Sequence, residues 1–454
     1  MKLPLIVARD LDAPIAWRAG RPLIARCFLA DAAHAAQRLP DRGAMLDLCS
    51  DRYAFAVGLA AAWMRGQAAL LPPNALPDTL ARLRAAHPEL YVYGDGTHDP
   101  VADLGEIRHA EIGALAHETP TIDADQHAAI LLTSGSTGTP QAHAKRWRTL
   151  VDNIAAAAER LAASLERPSL VGVNVVATVP PQHSYGFESS VLLGLLGGAA
   201  FDCGRPFYPA DIVAALESLP RPRVLVTTPF HLKTLLRAGL ALPPVDLLLS
   251  ATAPLSPQLA LEAERAFGGP LVEIYGCTEA GQVATRRSVH TEVWQCFGAL
   301  RVRAELVDGV ERFVAEGGHV AEPTPLADIL AIEPGSGAEG DGRRFRLLGR
   351  SNDLIHVAGK RSSLAHLDYH LNSIEGVEDG AFWLPDEVAD AVVRPVAFVV
   401  APKLDAAAIV QALRGRLDAV FVPRRVVHVD ALPRAATGKL AAAALARLAQ
   451  ERLG

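Results

Sequence analysis

The chain has 454 residues, of which 50% are hydrophobic and 21% are charged, an ordinary composition for a globular enzyme. That length is too great for one compact core, so two or more domains are expected. The formal net charge of −6 gives no electrostatic case for a nucleic-acid partner, and no apolar run approaches the length of a membrane span.

The cysteines and the N-terminal residues give an expectation for the cellular compartment. Five cysteines are scattered along the chain without a CxxC pair, which favours reduced thiols in the cytoplasm. The apolar stretch from Leu3 to Ala8 is too short for a secretory signal. His356, His366 and His370 lack a convincing metal-ligand spacing, so no structural zinc is expected.

Strand-like apolar runs alternate with alanine-rich helical stretches. The predicted elements, in chain order, are strand Ala44–Cys49, helix Ala54–Arg65, strand Ala68–Leu71, strand Leu170–Val179, helix Asp211–Ser218, strand Arg223–Thr227 and helix Ser256–Phe267. Strands separated by helices imply a parallel sheet with helices on both faces. In the last of these helices, Ser256 is the expected N-cap and Pro257 occupies the first turn.

A change of composition predicts a domain boundary. Around Pro334–Arg346 the chain becomes rich in Gly, Glu and Arg, and the compact turn Gly349–Asp353 follows. We predict a large domain over residues 1–349, a small domain over residues 350–454, and a hinge between them that can enclose a ligand. The predicted elements of the small domain are helix Ser363–Ser373, strands Ala381–Leu384 and Val396–Ala401, helix Asp405–Leu417 and a C-terminal helix.

The predicted fold class is therefore α/β. We expect a large N-terminal domain of parallel and mixed sheets flanked by helices, with a small mobile α+β domain at the C-terminal end.

The run Leu131–Pro140 (LLTSGSTGTP) gives the strongest local signal of function. Two apolar residues end a predicted strand, and glycines and hydroxyl residues follow. Glycines let backbone N–H groups converge on one point, and the hydroxyls of Ser134, Ser136 and Thr137 can turn toward phosphate oxygens. No Gly-Lys-Ser/Thr ends the run, so a Walker-type loop is excluded here, and Gly-x-Ser-x-Gly does not fit either. The run predicts a phosphate-binding loop of another kind.

Four further segments follow this loop in order. They are Pro180–Phe187 (PPQHSYGF), Ile274–Glu279 (IYGCTE), Leu348–Asp353 (LGRSND) and Leu432–Leu440 (LPRAATGKL). With the loop, this series resembles the acyl-adenylate-forming superfamily, which includes acyl- and aryl-CoA synthetases, luciferases and carrier-protein-loading adenylation domains. Each motif is weak alone, whereas the ordered set is specific and covers the chain from about its first quarter to its end.

The resemblance implies a two-step reaction. A carboxylate attacks the α-phosphate of ATP, giving an acyl-AMP and pyrophosphate, and a thiol then displaces AMP. Phosphoryl transfer of this kind depends on positioning and on stabilising charge at phosphate oxygens. By this resemblance the chain is an AMP-forming acid–thiol ligase that uses ATP and Mg²⁺.

The resemblance also assigns the nucleotide to residues of several motifs. The β- and γ-phosphates would be held by Thr133, Ser134, Gly135, Ser136, Thr137 and Gly138. Thr278 would contact the α-phosphate, and Glu279 would bind Mg²⁺, a hard cation that prefers carboxylate oxygen. Adenine would be contacted by Tyr275, Gly276, Ala253 and Pro254.

Further roles implied by the resemblance concern the ribose, the acyl group and the thiol. Asp328 is the candidate for the ribose hydroxyls, with Asp341 as its rival, and Arg350 would reach the ribose or a phosphate. Lys439 would swing in and bridge the acyl carboxylate to the α-phosphate, where its ammonium neutralises growing charge. Gly359 resembles the loop that lines the pantetheine tunnel.

Several residues depart from the family pattern. Gln141 stands where the phosphate loop usually has lysine; either Lys145 replaces that cation or the cation is dispensable. Asn352 replaces the usual Asp or Lys of the hinge, and Ala251 and Thr252 replace a glycine pair beside the adenine site.

The acid pocket is expected beside the second motif. Its predicted lining residues are His183, Tyr185, Gly186 and Ile274. No Asp stands in that motif to pair with an α-amine, and Glu188 is expected to face another way, so a plain carboxylic acid is predicted. His183 either gates the pocket or contacts the carboxylate; the alternative is a buried histidine bonded to the backbone. The N-terminal region, with Asp51–Phe55 (DRYAF) and Leu71–Asn74 (LPPN), resembles compact ligases of aryl-polyene pigment pathways. Those ligases act on hydroxybenzoate- or cinnamate-like acids and load an acyl carrier protein.

The expected thiol acceptor is an acyl carrier protein or CoA, since both present the same pantetheine thiol. The arginines that could receive an acidic carrier protein are Arg343, Arg344, Arg346, Arg424, Arg425 and Arg434. The function predicted first is ligation of a hydroxybenzoate-like aryl acid to an acyl carrier protein. The alternatives are an aryl- or fatty acyl-CoA synthetase and a non-catalytic nucleotide-binding relative. Glu279 and Lys439 argue against the non-catalytic alternative.

Overall fold

The structure is a computed structural model of the 454-residue chain. It describes residues 1–41, 43–98, 101, 104–134, 140–307, 310–334, 341–350, 354–357, 360–385, 394–434 and 440–453. At residues 133, 134, 140, 350, 354, 356, 357, 360 and 361 the description covers the backbone only.

Strands and helices alternate along most of the chain. The strands are β1 Lys2–Pro4, β2 Pro14–Arg18, β3 Arg21–Ile24, β4 Met45–Asp47, β5 Ala69–Leu71, β6 Tyr91–Gly94, β7 Glu106–Arg108, β8 Thr121–Asp123, β9 His127–Ser134, β10 Pro140–Arg146, β11 Asn174–Ala177, β12 Ala200–Asp202, β13 Arg223–Thr227, β14 Leu247–Ser250, β15 Leu271–Cys277, β16 Gly281–Arg286, β17 Trp294–Cys296, β18 Arg301–Val307, β19 Val310–Gly317, β20 Val320–Leu326, β21 Asp328–Ile332, β22 Arg344–Arg350, β23 Leu354–Val357, β24 Lys360–Ser363, β25 Asp379–Trp383, β26 Val396–Val400 and β27 Val426–His428. The helices are α1 Ala25–Arg38, α2 Arg52–Met64, α3 Pro77–Ala86, α4 Trp147–Ser164, α5 Ser184–Gly186, α6 Leu193–Leu195, α7 Pro209–Ser218, α8 Pro229–Arg237, α9 Pro257–Phe267, α10 Leu364–Asn372, α11 Ala406–Arg414 and α12 Ala442–Leu453, with a π-helical segment Phe187–Leu192 between α5 and α6.

A six-stranded sheet carries the start of the predicted phosphate loop. Its order is β10-β9-β5-β4-β6-β7, parallel except for the antiparallel pair of β9 and β10. Helix α2 is buried along nearly its whole length, and Trp63 packs 4.8 Å from the ring of Trp147 on α4. Because β9 and β10 pair through Ser134 and Pro140, the two ends of the loop are fixed next to each other.

An eleven-stranded sheet forms the centre of the chain, in the order β21-β22-β17-β16-β15-β14-β13-β11-β12-β2-β3. The strands β2, β12, β11, β13, β14 and β15 are parallel. The segments that follow β11, β13, β14 and β15 therefore meet at one edge, which is where ligands bind in open α/β sheets. The second and third motifs of the sequence lie at this edge.

The stretch from β16 to β22 is largely antiparallel, with β18, β19 and β20 forming a separate three-stranded sheet. None of these strands was predicted from the sequence. Strand β18 (RVRAELV) alternates charged and apolar residues, and Val302 is its buried core residue.

The C-terminal segment has its own small sheets and two apolar clusters. Strands β25, β26 and β27 form a three-stranded sheet, and β23 pairs with β24. Leu367 and Leu371 of α10 pack with Phe382 and Val399 in one cluster, and Phe398 packs with Leu445 of α12 in the other. The predicted domain bounds at 349 and 350 stay a prediction.

Several predicted elements are confirmed. Strand β13 has the predicted bounds, and the Ser256 side chain accepts a hydrogen bond from Leu259 N at 3.3 Å as the N-cap of α9. Ser363 and Asp405 cap α10 and α11 in the same way. The predicted strand Leu170–Val179 is shorter than expected, since β11 covers only its central residues.

The five cysteines are free thiols, and a cytoplasmic location stays a prediction. In the part of the chain that the structure describes, no helix is both long enough and apolar enough to cross a membrane.

Candidate nucleotide and acid site

A cleft of about 1750 Å³ opens at the carboxyl edge of the eleven-stranded sheet. Its lining from the sheet side includes Tyr185, Gly186 and Pro254, and its opposite wall includes Tyr369 and Asp379 of the C-terminal segment. The acid segment (Pro180–Phe187, next to the predicted acid pocket) and the adenine turn (Ala251–Pro254) thus face one space. This space lies between the bulk of the molecule and the C-terminal segment.

The adenine turn follows β14. Ala253 and Pro254 line the cleft, and the turn passes through Thr252 with a φ of +75°. A β-branched residue in this left-handed region is strained by ~1–3 kcal/mol. The fully buried Leu255 and the capped start of α9 hold the turn in place.

The predicted adenine and ribose residues come together next to this turn. Tyr275 is buried, with its ring 5.7 Å from that of Trp294 and 5.5 Å from that of Phe345. Its hydroxyl donates to Asp328 Oδ2 at 2.7 Å. In the antiparallel pair of β21 and β22, Asp328 is the partner of Arg350, so the backbone also places Arg350 at this corner.

The rival acid lies elsewhere. Asp341 accepts a hydrogen bond from Arg343 N at 2.9 Å, and Arg343 in turn donates to the carbonyl of Gly298. The structure thus places Asp328, and not Asp341, against Tyr275.

The turn that joins β15 to β16, residues 277–281, carries Thr278 and Glu279. It closes through Gly281, whose φ is +79°, and through a hydrogen bond from Ala280 N to Cys277 Sγ at 3.4 Å. Gly276 must remain glycine, because a side chain there would collide with the carbonyl oxygen of Gly281. Since β14 and β15 are parallel neighbours, this 277–281 turn lies beside the adenine turn.

Glu279 fits the role of a magnesium ligand. Its side chain is 40% exposed, and its Oε1 lies 3.5 Å from His143 Nε2 of β10. A carboxylate oxygen at an open sheet edge suits Mg²⁺, which keeps several waters and shares the remaining positions with substrate phosphates.

The acid segment contains residues with different surroundings. Tyr185 packs against the same apolar cluster that contains the buried Ile274. Gly186 allows a close approach, since a side chain there would collide with the carbonyl oxygen of Pro180. His183 is exposed and places Nε2 at 3.1 Å from Pro73 O, so it contacts backbone without being buried.

Other predicted site residues lie wholly or partly outside the description. Thr133 and Ser134 end β9 and are described by their backbone only. The residues outside the described ranges are Gly135, Ser136, Thr137, Gly138, Gly359 and Lys439.

Behind the 277–281 turn, Lys145 and Glu188 are buried side by side, an association that the sequence did not predict. Lys145 is 5% exposed and donates to the backbone oxygen of Glu279 at 2.5 Å. Glu188 is also buried, beside Lys145, Asn153 and Ser184, and burial raises its pKa to about 7. A charged residue within the apolar run of the π-helical segment was the available sequence signal. The expectation that Glu188 faces away from the acid pocket agrees with these neighbours.

An α/β sheet whose carboxyl edge faces a smaller C-terminal segment across a cleft is the arrangement that the resemblance to adenylate-forming enzymes implies. A family model described as AMP-binding enzyme matches residues 41–317, and one described as AMP-binding enzyme C-terminal domain matches residues 371–439. The first match spans more than half of the chain, which therefore belongs to the AMP-binding enzyme family.

Relatives of this chain include CoA ligases. A 4-coumarate–CoA ligase of Rhodobacter capsulatus is 30% identical over 359 residues, which cover 77% of this chain and 82% of the relative. A 4-coumarate–CoA ligase of Halorhodospira halophila is 30% identical over 332 residues, or 70% of this chain and 76% of the relative. An indoleacetate–CoA ligase of Aromatoleum aromaticum is 23% identical over 361 residues, or 72% of this chain and 68% of the relative.

Solved structures confirm the fold class. ATP-bound MatB from Rhodopseudomonas palustris aligns with a TM-score of 0.77 at 19% identity, covering 98% of this chain and 97% of that one. With the family matches and the CoA-ligase relatives, the chain is an AMP-forming acid–thiol ligase whose reaction uses ATP and Mg²⁺.

Proposed function

We propose that this ligase activates an aromatic carboxylic acid with ATP and transfers the acyl group to the thiol of CoA. The observation that carries the proposal is the hydrogen bond from Tyr275 to Asp328 beside the 277–281 turn. It assembles a nucleoside-binding corner on the sheet edge that also presents the acid segment to the cleft.

In the first step, a carboxylate oxygen of the acid attacks the α-phosphorus of ATP. The bond from that phosphorus to the bridging oxygen breaks, and pyrophosphate leaves with the electron pair. Tyr275 and Asp328 would hold adenine and ribose, and Thr278 would orient the α-phosphate for in-line attack. Lys439 would bring its ammonium to the acyl carboxylate and the α-phosphate, where negative charge accumulates. When bound through Glu279, Mg²⁺ supplies neutralisation of charge on the phosphate oxygens.

In the second step, the thiolate sulfur of the acceptor attacks the acyl carbon. The carbon–sulfur bond forms, the bond from the acyl carbon to the phosphate oxygen breaks, and AMP leaves. We propose that residues 350–454 rotate between the two steps and that Gly359 then lines the path of the pantetheine arm. The exposed ion pair of Arg237 with Glu378 across the cleft supports this rotation, because breaking such a pair costs little.

The proposed acid class is aromatic and lacks an α-amine. Glu188 is turned into the protein beside Lys145, so it supplies no carboxylate for a substrate ammonium at the cleft. Tyr185 and the apolar cluster behind it suit a flat apolar ring. The named acids of the ligases from Rhodobacter capsulatus and Aromatoleum aromaticum, 4-coumarate and indoleacetate, are aromatic. A hydroxybenzoate-like acid remains our specific proposal within that class.

For the acceptor, the observations favour CoA over a carrier protein. Arg346 is paired with Glu333 at 2.6 Å, and Arg434 is paired with Asp379 at 2.8 Å. Two of the arginines predicted to receive an acidic carrier protein are thus already engaged. The relatives described above are named as CoA ligases.

The direct test is acid-dependent exchange of labelled pyrophosphate into ATP. We would compare 4-hydroxybenzoate, 4-coumarate, indoleacetate, octanoate and phenylalanine. We expect exchange with the aromatic acids, little with octanoate, none with phenylalanine, and loss of exchange when EDTA removes Mg²⁺. Absence of exchange with every acid would overturn the proposed function.

The acceptor needs a separate measurement. With the best acid, thioester formation would be followed with CoA and, in parallel, with a holo acyl carrier protein. We expect faster thioester formation with CoA. A faster reaction with the carrier protein would move the proposal to a carrier-protein ligase of the aryl-polyene type.

A further inference from the structure

Two residues of β10 reach Glu279 from the same side. His143 and Lys145 are two positions apart on a strand, so their side chains point to the same face. His143 Nε2 lies 3.5 Å from the carboxylate of Glu279, and Lys145 Nζ donates to its backbone oxygen at 2.5 Å. The strand that leaves the phosphate loop therefore holds the candidate metal ligand by both its side chain and its backbone.

The 277–281 turn has a further buried support. His319 is 4% exposed, and its Nε2 lies 3.1 Å from the carbonyl oxygen of Ala280. Burial lowers the pKa of His319 to about 4, so the ring is neutral near pH 7 and donates from Nε2. Two successive carbonyls of the turn, those of Glu279 and Ala280, are thus fixed by two buried side chains.

The charge of Lys145 requires an explanation. Burying an ammonium is costly unless it is paired and hydrogen-bonded. Burial lowers the pKa of Lys145, the nearby Glu188 opposes that shift, and the carbonyl of Glu279 accepts the hydrogen bond of the ammonium. An apolar side chain would fill this core position at lower cost, so the retained ammonium indicates a specific contact.

We propose that Lys145 and His143 are positioning residues that hold Glu279 in place for Mg²⁺–ATP, and that Lys145 does not bind phosphate. The inference rests on the proposed function, because it takes Glu279 as the magnesium ligand. It takes the loop lysine that Gln141 replaces as dispensable, because Lys145 does not substitute for it. The nearby cation stabilises the metal-binding turn and does not replace the missing phosphate contact.

The test measures metal binding separately from catalysis. Calorimetry would give the affinity for ATP in EDTA, and electron paramagnetic resonance would give the affinity for Mn²⁺ with a non-hydrolysable ATP analogue. The variant is Lys145→Met, which keeps an unbranched side chain as far as Cε and removes the ammonium, and the matched control is Arg146→Met. Arg146 is the next cation of β10, exposed and 3.9 Å from Asp125.

For Lys145→Met we expect Mn²⁺ affinity to fall about tenfold or more, the range found when groups that orient a metal ligand are removed. ATP affinity in EDTA should change less than twofold. Arg146→Met should leave both affinities unchanged, and His143→Leu should reduce Mn²⁺ affinity by less than Lys145→Met does. Equal loss of ATP affinity with and without metal in Lys145→Met would overturn the proposal and make Lys145 a phosphate ligand.

A second variant separates positioning from phosphate binding. Gln141→Lys restores a cation at the loop position. We expect that adding it to Lys145→Met leaves the Mn²⁺ defect unchanged. If Gln141→Lys rescued the defect, Lys145 would be a substitute phosphate contact and the proposal would be wrong.

The double variant Lys145→Met/Glu188→Gln controls for effects on folding. It also removes the buried carboxylate that Lys145→Met alone leaves without its ammonium. This double variant should show the stability of the unaltered chain and the same Mn²⁺ defect. Recovery of Mn²⁺ affinity together with stability would overturn the proposal. A chain that binds Mn²⁺ with ATP but exchanges no pyrophosphate with any acid would reject the proposed function and leave this inference standing.

Discussion

The nucleoside corner and the contacts across the cleft are built in opposite ways. At the corner, Tyr275 is buried among aromatic rings and bonded to Asp328 at 2.7 Å. Across the cleft, Arg237 meets Glu378 at 3.0 Å, with their side chains 53% and 41% exposed. Buried, packed hydrogen bonds resist change, whereas exposed ion pairs contribute about 0–1 kcal/mol. The comparison indicates that the contact of Tyr275 with Asp328 is fixed, whereas the contact of Arg237 with Glu378 across the cleft can break at low cost.

The largest expected effect comes from changing Lys439 in the C-terminal segment, which tests whether that segment rotates. Lys439→Ala should slow acyl-AMP formation by about 100- to 1000-fold, since it removes a cation aimed at transition-state charge. Thioester formation from preformed acyl-AMP should be unchanged, because the segment would have rotated away. Single-turnover assays of both steps would measure this.

The matched control is Lys403→Ala, an exposed lysine of the same segment that should affect neither step. Equal losses in both steps of Lys439→Ala would contradict rotation of the C-terminal segment.

The next effect concerns the buried Glu188 and the pH dependence of the free energy of unfolding. Burial raises the pKa of Glu188 from 4.5 to about 7. Between these values the folded chain binds this proton and the unfolded chain does not, so the free energy of unfolding falls as pH rises. The fall amounts to roughly 3 kcal/mol across the window. Urea unfolding at pH 5 and pH 8 should therefore show a smaller pH-dependent loss in Glu188→Gln.

Glu159 on the exposed face of α4 provides the control. Glu159→Gln should leave the pH profile as it is. If Glu188→Gln had the same profile as the unaltered chain, Glu188 would not carry a raised pKa.

A third prediction sharpens the comparison at the nucleoside corner. Asp328→Asn should weaken ATP binding about tenfold, because a charged hydrogen-bond acceptor is worth ~1.5–3 kcal/mol. Asp341→Asn is the matched control, since its carboxylate bonds to Arg343 N away from Tyr275. Calorimetry with ATP would measure both. A larger loss in Asp341→Asn would reassign the ribose acid.

The sequence predicts those parts of the structure that depend on residues close to each other along the chain. The N-cap at Ser256 was predictable because a hydroxyl before Pro257 satisfies free backbone N–H groups. Asp328 was chosen by its place before the Gly-Arg turn, and only the pairing of β21 with β22 brings it to Tyr275.

The missed features depend on contacts between distant segments. Lys145 and Glu188 lie 43 positions apart, and nothing local shows that β10 and the π-helical segment bury them together. Strand β18 was missed because its charged residues, which alternate with apolar ones, resemble a charged loop. The described structure also leaves the roles of Lys439 and Gly359 as predictions.

The smallest expected effect tests the seat of the C-terminal segment. Arg237→Gln removes the exposed pair with Glu378 and should cost no more than ~0.5 kcal/mol of stability. ATP affinity should not change, because the nucleoside corner does not include this pair. Loss of this pair destabilises the orientation of the C-terminal segment that contains it and so favours the other orientation. The rates of acyl-AMP formation and thioester formation should therefore shift in opposite directions, by about twofold. The shift should vanish in high salt, which screens exposed charges. Arg447→Gln, an exposed arginine of α12, should change neither rate. Equal changes in the rates of both steps would mean that the pair affects the whole site and not the orientation of the C-terminal segment. The contrast between the Tyr275–Asp328 contact and the contacts across the cleft would then be wrong.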